Sequence, residues 1–131
     1  AIADGGVHDM IKFPRWTIGK AWTADYGNPQ EDGAAFDYNM TYSPLHTVRA
    51  NKTYPTVILA CADHDDRVVP AHSFKLAAEM QHTLANNANP ILLRVDLQAG
   101  HGEGKSTQKR MEEAAEKYAI VAHVLGLPLT P

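Results

Sequence analysis

The densest run of reactive side chains is Asp63-His64-Asp65-Asp66-Arg67, which puts three carboxylates, an imidazole and a guanidinium in five consecutive positions. A second histidine, His101, lies between Gly100 and Gly102, which let the backbone turn sharply and present the ring. A carboxylate that accepts a histidine Nδ1–H fixes the imidazole tautomer and leaves Nε2 to take a proton from a nucleophile. One of Asp63, Asp65 or Asp66 facing His101 would supply two members of such a relay. The same acidic run could instead coordinate a metal ion. It lacks a second spaced set of His or Cys ligands, so no metal is expected.

The surrounding elements tell how these groups would be positioned. Thr56-Val-Ile-Leu-Ala-Cys-Ala62 is a continuous apolar run without alternation, the pattern of a strand covered on both faces of a parallel sheet. The acidic run follows its end. Pro70 then fits the first position of a helix to about Leu84, in which Leu76, Met80 and Leu84 recur four apart with Ala77 beside them. After a break at Asn86–Pro90, Ile91–Leu97 reads as a second strand, and the glycine-rich turn Ala99–Gly104 carries His101. Ser106 or Thr107 can cap a last helix with Met111, Ala114, Ala115, Tyr118, Ala122 and Leu125 on one face, ended by Gly126 and Pro128. Strand, helix, strand, helix predicts a doubly wound parallel α/β sheet in three αβα layers. Ligands of such sheets sit beyond the carboxyl ends of the strands, where the acidic run and His101 fall.

Upstream, residues 1–4 read as a strand that Gly5-Gly6 ends, and Val7 to Phe13 as a short helix stopped by Pro14. Trp16, Trp22 and Tyr26 follow close together, with Trp22 and Tyr26 spaced to share a face of a helical turn. That pair suits either core packing or the aromatic wall of a pocket for a ring-shaped apolar group. Residues 27–33 are loop by turn chemistry, Ala34 to Tyr42 a short helix ended by Ser43-Pro44, and Leu45–Tyr54 a polar connection before Pro55.

A chain of 131 residues suits a single domain, and a net charge of −3 from 12 basic and 15 acidic residues argues against nucleic-acid or membrane partners. No apolar run is long enough to cross a bilayer. The lone Cys61 excludes an intrachain disulfide and fits a reducing compartment, so a cytoplasmic protein is expected. Two glycosylation triplets, Asn39-Met-Thr41 and Asn51-Lys-Thr53, are of the kind that arise by chance.

A rival chemistry shares the His101 turn. Ala99-Gly-His-Gly-Glu-Gly-Lys-Ser106 satisfies a relaxed phosphate-loop pattern, with Lys105 placed for the outer phosphates of a nucleotide. Ala99 replaces its first glycine, and no later strand offers a magnesium-binding Asp. No cofactor is expected.

Taken together, Ala62-Asp-His-Asp-Asp-Arg-Val-Val-Pro70, Ala99-Gly-His-Gly102 and Ala21-Trp-Thr-Ala-Asp-Tyr-Gly27 closely resemble the prolyl oligopeptidase family, from about residue 3 to the C-terminus. The resemblance implies an α/β-hydrolase fold, with residues 1–131 as the C-terminal segment of its peptidase domain. It implies that Asp65 is the triad acid and His101 the general base. Arg67 would bond a substrate carbonyl, and Trp22 would stack on the substrate proline with Tyr26 and Val68 lining the same pocket. A proline ring is apolar and offers no N–H, so a pocket selecting it should be aromatic and shape-based. The family's nucleophile stands on a Gly-x-Ser-x-Gly elbow. No such pattern occurs here: Ser43 precedes proline, Ser73 opens a helix and Ser106 caps one. The expected partners are therefore a proline-containing peptide and the remainder of the parent enzyme, its serine-bearing half and seven-bladed β-propeller. The function so implied is serine peptidase cleavage on the carboxyl side of proline. A macrocyclising peptide transferase of the same family, a nucleotide-binding module using Lys105, and an inactive fragment that associates through its exposed sheet edge are the alternatives.

Overall fold

A computed structural model describes residues 1–102 and 105–128. Residues 1–101 make one compact unit, and residues 102–131 a second.

The first unit is built on a parallel three-stranded sheet in the order β1 (Ile2–Asp4), β2 (Val57–Ala62), β3 (Ile91–Asp96). Every residue of β2 is buried, as its unbroken apolar run requires, whereas β3 is mostly half-buried. This sheet and its crossover helices give the α/β fold expected from the sequence. Between β1 and β2 the chain forms 3-10 turns at Phe13–Arg15 and Thr17–Trp22, then α1 (Thr23–Tyr26), α2 (Gly33–Tyr42) and a 3-10 turn at Pro44–His46. Helix α3 (Ala71–Thr83) connects β2 to β3 and presses Leu76, Ala77 and Met80 onto Val57 and Leu59, with Leu84 closing the cluster. Burying each of the larger side chains stabilises by roughly 1.5–3 kcal/mol. Pro70 is the cap of α3 rather than its first residue.

The helix expected over Val7–Phe13 does not form. Asp9 turns its carboxylate back onto the N–H groups of Ile11 (3.1 Å) and Lys12 (2.9 Å), a local alternative to the helical ladder. Pro14 does not stop a helix either; it sits in the first turn of the Phe13–Arg15 3-10 segment, where a missing N–H costs nothing. Helix α2 matches its expected span and is capped by Asp32, which accepts the Ala34 N–H at 2.9 Å. Asn39 within it is fully buried, donating to Tyr26 O at 3.0 Å and accepting from the Tyr42 hydroxyl, so its triplet presents no site for a sugar.

The second unit is dominated by α4 (Thr107–Leu125). Ser106 caps it by accepting the Lys109 N–H at 3.2 Å, and Gly126 ends it in the left-handed conformation (φ 65°). Glu113 pairs with Lys105 at 2.9 Å and with Lys117 at 2.6 Å. Among the described residues no helix is long and apolar enough to cross a membrane.

Candidate functional site

The site is built from the two loops that leave β2 and β3. Asp63 N donates to Asp96 O at 3.0 Å and His64 N to Ala99 O at 3.1 Å, so the loops stay joined beyond the last strand pair. Asp65 lies next to that seam and is 5% exposed. Its Oδ1 accepts two backbone N–H groups from its own loop, those of Arg67 and Val68, each at 2.9 Å. Its Oδ2 faces His101 Nδ1 at 2.7 Å. The loop therefore wraps around its own carboxylate and leaves one oxygen for the imidazole.

With Nδ1 donating to Asp65, Nε2 is the ring nitrogen that can accept a proton from outside. The His101 side chain is 36% exposed, so a reactant can reach it. Gly5, just after β1, borders the same ring: a Cβ there would stand 3.7 Å from His101 Cε1, and its φ of 58° favours glycine.

Of the remaining residues singled out by sequence, Val68 is buried and Arg67 exposed, both on the loop that carries Asp65. Trp22 and Tyr26 both pack against Phe13. The Phe13 and Trp22 rings stack with centroids 6.5 Å apart, and Tyr26 meets Phe13 edge-on at 5.9 Å. The aromatic segment is linked to the acidic loop by the Thr17 hydroxyl, which donates to Arg67 O at 3.4 Å. Tyr26 also lines a cavity of about 550 Å³ with Asp25, Asp32, Tyr38 and Tyr42.

Sequence reasoning missed Phe13, which is fully buried at the centre of these rings. It also missed a buried polar cluster underneath. Asp9, with no exposed surface, pairs with Lys75, and its backbone N–H donates to His72 Nδ1 at 3.1 Å. Trp16 packs edge-on against His72 at 4.6 Å and receives the Lys75 ammonium 5.5 Å from its ring centre. Burial lowers the pKa of His8 as well. A serine–histidine contact, Ser43 Oγ to His46 Nδ1 at 2.8 Å, does not offer an accessible nucleophile: Ser43 is fully buried and accepts the Met10 N–H.

The phosphate-loop pattern fares differently. Glu103 and Gly104 lie outside the described residues, and Lys105 is paired with Glu113. Among the described residues no three His, Cys, Asp or Glu side chains gather as a metal site.

The sequence profile of the prolyl oligopeptidase family matches residues 1–127. The chain belongs to the prolyl oligopeptidase family. It is 57% identical to prolyl oligopeptidase A of Galerina marginata over 127 residues, covering 97% of this chain and 17% of that protein. It is 43% identical to the dual function macrocyclase-peptidase of the same fungus over 130 residues, 98% of this chain and 18% of that one. Among solved structures, prolyl oligopeptidase B from Galerina marginata, bound to a 35mer hydrolysis and macrocyclization substrate, superimposes with a TM-score of 0.92 at 43% identity. That match covers 98% of this chain and 18% of the other. The chain thus spans less than a fifth of the length of these prolyl oligopeptidases.

Proposed function

We propose that this chain is the C-terminal segment of the catalytic domain of a serine peptidase that cleaves peptides after proline. The observation that carries the reading is the 2.7 Å contact between His101 Nδ1 and the buried Asp65 carboxylate at the rim of the sheet. In this reading the nucleophilic serine, and any propeller, belong to other parts of the enzyme.

His101 Nε2 takes the serine hydroxyl proton as Oγ bonds to the scissile carbonyl carbon. The carbon–nitrogen bond then breaks, and His101 returns that proton to the leaving amine. Water attacks the resulting acyl-enzyme with His101 again as base. Asp65 holds the ring in its productive tautomer and stabilises the imidazolium. Arg67, exposed beside the acid, bonds a substrate carbonyl. Trp22 offers its face to the proline ring, with Tyr26 and Val68 closing the pocket.

An acyl-enzyme can be resolved by water or by a peptide amine, and the second outcome is macrocyclisation. Similarity to the dual function macrocyclase-peptidase makes that the second reading. The higher identity to prolyl oligopeptidase A favours hydrolysis. A nucleotide-binding module would first have to release Lys105 from its pairing with Glu113, which disfavours that alternative.

The test is turnover of a proline-containing reporter peptide by the full-length protein carrying this chain. His101→Ala and Asp65→Ala are each expected to lower kcat by about 10³-fold or more. The isolated 131-residue chain is expected to turn over nothing. Retained turnover in His101→Ala, or hydrolysis by the isolated chain, would overturn the reading. Mass spectrometry of products from a long peptide separates linear from cyclised species.

A further inference from the structure

Asp63 is the first residue beyond β2, and its side chain makes contacts that strand pairing does not require. Its Oδ1 accepts the Ala99 N–H at 3.2 Å and lies 2.7 Å from His64 Nδ1. The Gln98 N–H bonds the same carboxylate. Gln98 has a φ of 55°, in the left-handed region that residues other than glycine seldom occupy. A turn that includes a left-handed residue can aim two successive N–H groups at one point, which makes a concave seat for an anion. Here the anion is supplied by the chain itself. The His64 contact first, then the Gln98 and Ala99 N–H groups, hold the Asp63 carboxyl down at about 2, so the seat stays filled by a charged group throughout the neutral range.

The placement of this seat matters. Asp65 lies two residues beyond Asp63 on one loop, and His101 lies two residues beyond Ala99 on the other. With the His64 N–H to Ala99 O bond (3.1 Å), the Asp63–Ala99 bond ties both the N–H and the carbonyl of Ala99 to the Asp65 loop, next to the Asp65–His101 contact. We infer that Asp63 is a positioning residue: by filling the amide seat of Gln98 and Ala99, it locks the His101 loop against the Asp65 loop at the spacing proton transfer needs. The inference rests on the peptidase reading given above. Without the carboxylate, the left-handed turn loses the acceptor that compensates its strain. The His101 ring then samples positions away from Asp65 and from the incoming hydroxyl. Asp63 is not placed on the reporter-binding residues, so peptide affinity should be untouched.

The experiment is steady-state kinetics on the full-length protein with a proline reporter, comparing wild type, Asp63→Ala, Asp63→Asn and His101→Ala. Asp63→Ala is expected to lose kcat by about 10- to 100-fold, the size of effect that small misplacement of a catalytic group produces, with KM within about threefold. Asp63→Asn keeps an oxygen acceptor for the amide seat and is expected to recover to within about threefold of wild-type kcat. Should the alanine variant not fold, the asparagine variant decides: kcat near wild type supports the seat, and a loss as large as 10-fold overturns it. Wild-type kcat in a folded Asp63→Ala also overturns it. If His101→Ala is dead while Asp63→Ala is unaffected, only this inference fails. If His101→Ala keeps wild-type turnover, the peptidase reading falls and takes the inference with it.

Discussion

His101 stands two residues further along its loop than strand register alone would bring opposite Asp65. In the sheet Ala62 pairs with Asp96, and carrying that offset forward would set Ala99 across from Asp65. The chain instead takes up two residues in a turn at Leu97–Gln98, and His101 arrives at 2.7 Å from the carboxylate. A base on the neighbouring strand end is thus not enough. The turn that shifts it into place is part of the site.

That turn depends on Gln98 holding a φ of 55°. Glycine adopts this conformation without a Cβ clash, whereas a β-branched residue there is strained by about 1–3 kcal/mol. Gln98→Gly is expected to keep the Tm and leave kcat within about twofold, while Gln98→Val lowers both. Calorimetry and reporter turnover on the full-length protein check this, and equal behaviour of the two variants would remove the turn from the account.

The aromatic segment has its own tight point at Gly19. A Cβ there would lie 1.9 Å from Phe13 O, a backbone atom that cannot swing aside. Gly19→Ala must push the Thr17–Trp22 turn off Phe13 and move Trp22 with it. Because the atoms that a Cβ at Gly19 would meet all belong to Phe13, KM for a proline reporter is expected to rise about tenfold or more, with a smaller fall in kcat. A variant that loses kcat alone would mean that Trp22 does not contact the substrate.

How much of this was legible beforehand follows from the range of each signal. Strand β2 was legible because six successive buried positions need a run of apolar residues. Helix α3 was legible because Leu76 and Met80 repeat at the helical period. That one of Asp63, Asp65 or Asp66 would face His101 could be expected because adjacent parallel strands end side by side; that it would be Asp65 was implied only by the family resemblance. Gln98 gave no sign, since a left-handed residue is flagged by glycine or asparagine and Leu-Gln-Ala contains neither. Asp9 and His72 are 63 residues apart on segments with no shared pattern, so their bond depends on tertiary packing alone. Asp9 also explains the missing helix at Val7–Phe13, because one buried carboxylate can redirect a stretch that propensity leaves open.

Asp9 anchors that cluster with four partners: the Ile11 and Lys12 N–H groups, Lys75, and His72 through its own backbone. Removing one member of a fully buried ion pair costs about 3–5 kcal/mol; here Asp9 is buried while the Lys75 side chain is 35% exposed, so the cost falls toward or below the low end of that range. Asp9→Ala, which also strips the Ile11 and Lys12 N–H groups of their acceptor, is expected to be more destabilising than Lys75→Met. The double variant Asp9→Asn/Lys75→Met is expected to cost less than the sum of Asp9→Asn and Lys75→Met alone. Urea unfolding followed through Trp16 measures all of these, and strict additivity would mean that the pair is not coupled.

His72 offers the sharpest pH signature. It is almost wholly buried, and burial outweighs the pull of Asp9, bringing its imidazole down to about 4 from an ordinary 6.5. Between those two values the unfolded chain binds a proton that the folded chain refuses. Stability conferred by this group is therefore complete above pH 6.5, declines as the pH falls toward 4, and changes no further below it, by roughly 3 kcal/mol in all. Trp16, edge-on to the His72 ring at 4.6 Å, is a built-in reporter, because a protonated imidazole quenches indole emission. The difference in fluorescence between wild type and Trp16→Phe is expected to titrate near pH 4 in the folded protein. His72→Asn, which keeps an acceptor for the Asp9 N–H, should abolish that transition and flatten the stability profile. A midpoint near 6.5 would show that His72 is solvated and that the cluster under the aromatic segment is open to water.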